Sequence, residues 1–201
     1  MEFWNELITN KSWDLLVKLN KKIDFVLIGG WAVYLWTKGM KSKDIDIIVS
    51  FDVLEKLKQE YNLKKNNNLK KYELVLEEID VDIYVPFFSQ LPLLQEDLRK
   101  YTTSLEGMDV MKVEPLLILK QNAELSRRHS LKGEKDRLDI LSLLVKCKIN
   151  FSEYELLLGR CDLSHYKKRL MEIIKNFRTP EKLGLTPREY KLKKNFLLKH
   201  I

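Results

Sequence analysis

The chain has 201 residues, 45% of them hydrophobic, which suits one compact domain or two small ones with a real core. No apolar run reaches about 18 residues, so no membrane span is expected; Met1-Glu2-Phe3-Trp4-Asn5-Glu6 lacks the basic-then-apolar order of a signal peptide, and Cys147 and Cys161 fit neither a disulfide framework nor a cysteine zinc site, which together point to the cytoplasm. The net charge of +7 is uneven, because residues 165–201 carry eleven Lys/Arg against three Glu, a net of +8, and the rest sums to about −1.

In chain order, Phe3, Leu7, Ile8, Trp13, Leu15, Leu16 and Leu19 predict one or two short amphipathic helices over residues 3–20. Residues 24–28 form a short β-type run ending at Gly29-Gly30, and residues 31–37 read as a helix that stops at Gly39. Residues 44–49, Asp-Ile-Asp-Ile-Ile-Val, predict a strand with one buried face. A helix over 52–61 and a turn-rich stretch at 64–68 precede two strands, at about 70–76 and 78–85, the second closed by Pro86. A short helix near 92–99 and a last strand near 109–113 follow.

Pro115 suits the first turn of a helix, and from there the chain reads as all-α. Helices are expected over 115–126, 134–147, 151–159, 162–176 and 188–199, with Pro180 and Pro187 breaking the tail. The fold class expected is therefore α+β: a small mixed sheet with flanking helices over residues 1–114, and a helical part over 115–201 packed on it. The basic tail suits a polyanion such as RNA, although a solvated lysine-rich helix surface produces the same counts.

The chemistry concentrates in two strands. Alternation puts Asp44 and Asp46 on one face while Ile45 and Ile47 point into the core. Two ionised carboxylates held that close repel unless a cation lies between them, and magnesium takes one or two carboxylates plus substrate phosphates. Ile79-Asp80-Val81-Asp82-Ile83 repeats the pattern, so one of its aspartates can reach the same site if the strands are neighbours. Three convergent carboxylates suit two-metal phosphoryl transfer. A polar strand edge is the ordinary alternative, and a lone Asp-x-Asp is no more than that. Gly29-Gly30, fourteen residues before Asp44, adds a backbone that a ligand can approach and a helix N-terminus that offers N–H groups to phosphate.

With these residues the sequence resembles the DNA polymerase beta-like nucleotidyltransferase superfamily: a strand, a Gly-Gly or Gly-Ser turn opening a helix, an Asp-x-Asp strand, and a third acidic residue on a later strand. The resemblance covers roughly residues 24–85. It implies Asp44, Asp46 and Asp82 as catalytic and metal-binding residues, with Mg²⁺ or Mn²⁺ and an NTP substrate. Asp82 is preferred over Asp80 by similarity to the Ile-Glu-Ile-Asp-Ile-like strand of poly(A) polymerases. The turn has Gly30 where many members have serine, and Met40 stands where they have arginine. Ser42 fits the hydroxyl position, and Lys41 or Lys43 can supply the positive charge.

The C-terminal half resembles the subgroup of minimal and abortive-infection nucleotidyltransferases, through Leu117-Ile118-Leu119-Lys120-Gln121 and Lys135-Asp136-Arg137-Leu138-Asp139. That resemblance implies that Lys120 contacts the triphosphate and that Asp136 positions a substrate or a basic residue. The nucleotide-binding set is then Gly29, Gly30, Ser42, Lys43, Lys120 and Asp136. A surface lysine paired with Glu124, and a salt-bridged helix face, explain Lys120 and Asp136 equally. Trp31, Tyr34 and Trp36 are expected in the core around their helix, and His129 at a loop or helix end.

The leading expectation is NMP transfer from an NTP (ATP among the candidates) to a hydroxyl acceptor, with pyrophosphate released. The acceptor is RNA, including tRNA ends reached through the basic tail, or a small molecule. Alternatives are a non-catalytic nucleotide-binding or toxin–antitoxin module of the same fold, and a metal-dependent phosphodiester hydrolase.

Overall fold

The structure is a computed structural model that describes residues 5–93 and 100–201. The helix expected near 92–99 falls on residues 94–99, outside those described. The described chain forms two compact units, one of residues 5–91 and 100–112, the other of residues 92–93 and 113–201.

The first unit is α+β, as its sequence predicts. Helix α1 (Glu6–Asn20) starts at Asn5, whose side chain accepts from the Leu7 N–H at 2.8 Å. Strand β1 (Val26–Ile28) runs directly into α2 (Gly29–Thr37), so both glycines lie in the first helical turn. Then come β2 (Ile45–Ile48), α3 (Phe51–Glu60), β3 (Lys64–Asn66), β4 (Lys71–Leu76), β5 (Ile79–Tyr84), β6 (Thr102–Leu105) and β7 (Met108–Met111). They form one seven-stranded mixed sheet of order β3-β4-β5-β2-β1-β7-β6. The central strands bury Leu27, Ile45, Ile47, Val81 and Ile83, and α2 packs against β1 and β2. Trp31 is buried in this layer, where its indole donates to Ser12 Oγ at 2.8 Å and its ring meets Trp13 and Tyr34. The Trp36 indole donates to the Met111 carbonyl at 2.9 Å.

Two strands differ from expectation. Lys64–Asn66 is an edge strand paired with Lys71–Glu73, where a turn is predicted, and the turn falls after it, where Asn66 accepts from the Leu69 N–H at 2.9 Å. Lysines are well suited to a sheet edge, and ladder bonds need no apolar side chains. Strand β6 has no apolar alternation in Thr-Thr-Ser-Leu, and its order comes from pairing with β7.

The β4–β5 hairpin fixes the register that builds the site. Glu77 and Glu78 both take left-handed backbone, with φ of 49° and 70°, the twist that a two-residue hairpin turn needs. Lys18 and Lys11 of α1 reach these glutamates at 3.0 Å each. The turn sets Leu76 opposite Ile79, and hence Glu73 opposite Asp82.

The second unit is all helical: α4 (Val113–Arg127), α5 (Leu131–Lys146), α6 (Phe151–Arg160), α7 (His165–Asn176), a 3₁₀ turn (Pro180–Leu183) and α8 (Pro187–His200). Ser130 and Asn150 cap α5 and α6, and Thr186 with Glu189 makes a capping box behind Pro187. The core holds Leu116, Leu117, Ile118, Ile140, Leu141, Leu143, Leu170 and Ile174. Gln121 is buried and satisfied, donating to the Tyr166 carbonyl at 3.0 Å and accepting from the Tyr154 hydroxyl at 2.6 Å. The basic tail is part of this core as well as surface, since Leu183, Tyr190 and Leu197 are buried. Among the described residues no helix is long and apolar enough to cross a membrane.

Candidate active site

Strand pairing brings two of the predicted aspartates together. β2 and β5 run parallel, with Asp46 directly opposite Asp82. Residues opposite one another on adjacent strands share a sheet face, so the two carboxylates are neighbours. Their apolar flanks, Ile45, Ile47, Val81 and Ile83, occupy the buried face. Asp80 pairs with Val75 on the other side, is exposed, and lies beyond the first β2–β5 partners, Ile45 and Val81. The register thus sets Asp82, and not Asp80, against Asp46.

The two carboxylates are like charges set side by side. Burial, and then the Asp46 charge beside it, push the Asp82 carboxyl up to about 6. Lys71 opposes this by donating to Asp82 Oδ2 at 2.6 Å, and it also lies 3.3 Å from Glu73. Burial works against the lysine's own charge, but Asp82 and Glu73 outweigh it and hold the ammonium above its usual range. Lys71 is not among the residues the sequence motif points to. The signal was present: in a hairpin, Lys71 and Glu73 alternate onto the same face as Asp82.

Gly29 completes this end of the sheet. Its φ is +68°, and a Cβ there would lie 2.0 Å from Asp46 Oδ2. Glycine is required twice over, by the left-handed backbone and by the aspartate packed where a side chain would stand. Ile28 pairs with Asp46, so the N-terminus of α2 opens beside the carboxylates.

The loop before β2 supplies the remaining predicted residues of this unit. Asp44 is half-buried and precedes the strand instead of lying in it, and Lys43 Nζ is 3.8 Å from its Oδ1. Ser42 is buried, and Lys41 Nζ donates to Asn10 Oδ1 at 2.8 Å. Among the described residues no group of three or more His, Cys, Asp or Glu side chains is gathered to hold a metal ion. The sheet assembles a pair. Two hard oxygen donors side by side, beside a glycine cradle, fit magnesium or manganese, which bind through one or two carboxylates while substrate phosphates complete the shell.

Lys120 and Asp136 lie in the helical unit, inside a buried ion cluster. Lys120 Nζ is 2.7 Å from Asp139 and 3.3 Å from Asp136. Arg127 grips Asp136 with two nitrogens, at 2.7 and 3.1 Å, and Lys135 reaches Asp139 at 3.0 Å. Gly133 permits the Arg127 contact, since a Cβ there would lie 2.3 Å from the Arg127 carbonyl oxygen. Burial pushes the Asp136 carboxyl up, but Lys120 and Arg127 overcome it and hold the group below the usual range. Lys120 is therefore not a surface lysine paired with Glu124, which is taken by Arg137 and Arg169. His129 accepts from Arg128 Nε at 3.0 Å on the exposed α4–α5 connection.

No family model matches the chain, and no curated protein matches it. Solved structures do. A proposed nucleotidyltransferase from H. pylori is similar at 17% identity over 98% of this chain and 98% of that one, with a TM-score of 0.51. JHP933 from Helicobacter pylori is similar at 18% identity over 97% of this chain and 95% of that one, with a TM-score of 0.50. At these identities the likeness is one of fold, and it establishes the nucleotidyltransferase-like α+β fold expected from the sequence.

Proposed function

We propose that this chain is a metal-dependent nucleotidyltransferase that moves an NMP group from an NTP to a hydroxyl acceptor and releases pyrophosphate. The observation that carries the reading is the in-register Asp46–Asp82 pair beside Gly29. Asp46 and Asp82, with Asp44 at the strand entrance, are the residues to hold magnesium or manganese. A bound divalent ion supplies charge neutralisation of the triphosphate and acidifies the acceptor hydroxyl.

The remaining steps belong to the chain itself. Gly29 and Gly30 admit the triphosphate to the N–H groups that open α2. Ser42 and Lys43, just ahead of β2, add a hydroxyl and a positive charge. The acceptor oxygen bonds to the α-phosphorus as the bond to pyrophosphate breaks, and Asp82 takes the acceptor proton. Lys120 and Asp136 enter as a positioning network of the helical unit, because each is engaged by partners inside it. The excess of basic residues over 165–201 favours RNA, including tRNA, over a small molecule as acceptor.

Incubation with labelled ATP, CTP and total cellular RNA tests the reading. Transfer requires the divalent ion, and Asp46→Asn lowers it by more than about 10²-fold while the fold persists. Undiminished transfer by that variant sinks the mechanism. A second reading, a non-catalytic nucleotide-binding module, draws on Lys71, which counter-charges Asp82 from within the chain. Thermal stabilisation that requires Mn²⁺ and NTP together supports the enzyme. No transfer, with stabilisation by NTP alone, supports the module.

A further inference from the structure

The helical unit holds a cleft of about 390 Å³ that none of the proposed metal- or triphosphate-binding residues lines. That volume is in the range of small-ligand sites. Its floor is apolar, made by Leu138 and Leu141 of α5 and Ile173 of α7, with Phe177 following α7. Arg137, Arg169, Arg178 and Lys182 also line it, against two carboxylates, Glu134 and Glu172.

The cations are held in place. Arg137 and Arg169 share the buried Glu124, at 3.0 and 2.5 Å. Burial pushes that carboxyl up, but the two arginines overcome it and keep it below the usual range. Arg169 also pairs with Glu172 at 3.1 Å, so these two guanidiniums are fixed in place by two carboxylates. Lys182 pairs with Glu134 at 2.9 Å. Arg178 is exposed, donates to the Lys175 and Phe177 carbonyls, and forms no ion pair among the described residues.

We infer that this cleft binds single-stranded RNA, with one base seated against Phe177 and the apolar floor and the flanking phosphates on Arg178 and Lys182. A small anion has use for the cations but not for the floor. A base needs an apolar face, and stacking tolerates any base because each has a π-face. A duplex keeps its bases stacked, so only an unpaired strand can offer one. Arg169, Arg178 and Lys182 belong to the segment of net charge +8. As an acceptor site the cleft rests on the proposed transfer reaction; as an RNA site it does not.

The test is fluorescence anisotropy of a labelled single-stranded RNA on the full chain, without NTP or divalent metal. Arg178→Glu weakens binding by about tenfold or more at unchanged melting temperature, and Arg178→Ala lowers the slope of log affinity against log salt by about 0.7. Phe177→Leu, which keeps an apolar contact for Tyr190, weakens binding by at least about fivefold. Lys193→Glu makes the same kind of charge change on the exposed face of α8, outside the cleft, and alters binding by less than about threefold. Three results overturn the inference: Lys193→Glu and Arg178→Glu acting equally, duplex binding as tightly as single strand, or free ATP displacing the RNA at matched phosphate concentration. Asp46→Asn binds the RNA as the parent does, so a failed transfer assay and a failed cleft are told apart.

Discussion

Two aspartate pairs lie in this molecule in opposite electrostatic surroundings. Asp46 and Asp82 face each other across parallel strands, and Asp82 is pushed up to about 6 despite Lys71. Asp136 and Asp139 lie one helical turn apart among Lys120, Arg127 and Lys135, and Asp136 is held below its usual range. The helical pair is buried and the sheet pair half-buried, so the two differ in exposure as well as in their charged neighbours. Three cations satisfy the helical pair, so it has nothing further to attract. In the sheet pair two like charges stand side by side, the arrangement that the proposed divalent ion would relieve.

Breaking the satisfied pair costs the most stability. Asp136→Ala leaves Lys120 buried without part of its cage and destabilises by about 3–5 kcal/mol, read by urea denaturation. A loss below 1 kcal/mol removes the contrast.

The sheet pair behaves in the opposite way. Because the folded-state value of about 6 lies above the ordinary 3.8, ionising Asp82 costs the metal-free fold stability. The penalty is absent below about pH 4, grows as pH rises to about 6, and then stays on the order of 3 kcal/mol. Asp82→Asn abolishes that slope, so denaturation curves of variant and parent that run parallel from pH 4 to 7 contradict the assignment.

Gly29→Ala separates position from charge. The left-handed backbone alone costs about 1–2 kcal/mol, and the new Cβ displaces Asp46. Transfer is lost well before the protein unfolds; a fully active, folded variant shows that Asp46 need not stay there. The smallest effect is that of Lys71→Met. It removes the contact that holds Asp82 down, so the carboxyl titrates still higher in the metal-free protein, a shift that carbon-detected NMR resolves.

Local pattern made much of this legible. Pro115 marked the start of the helical half, and alternation of Asp with Ile or Val marked β2 and β5, because a strand buried on one face must repeat every second residue. The weakly patterned β3 and β6 escaped notice, since their order comes from partner strands distant in sequence.

The alternation of Asp46 with Ile45 and Ile47 and the glycine-led helix start were determined by the sequence alone, because spacing within one strand or one turn is a property of local backbone geometry; that Asp44 stands just ahead of the strand was not. Only the tertiary structure decided that Asp82 and not Asp80 faces Asp46, that Lys71 stands on Asp82, and that Lys120 is enclosed by Asp136 and Asp139. Register between strands and pairing between helices depend on contacts across the fold, and the charged surroundings that distinguish the sheet pair of carboxylates from the helical one exist only once those contacts have formed.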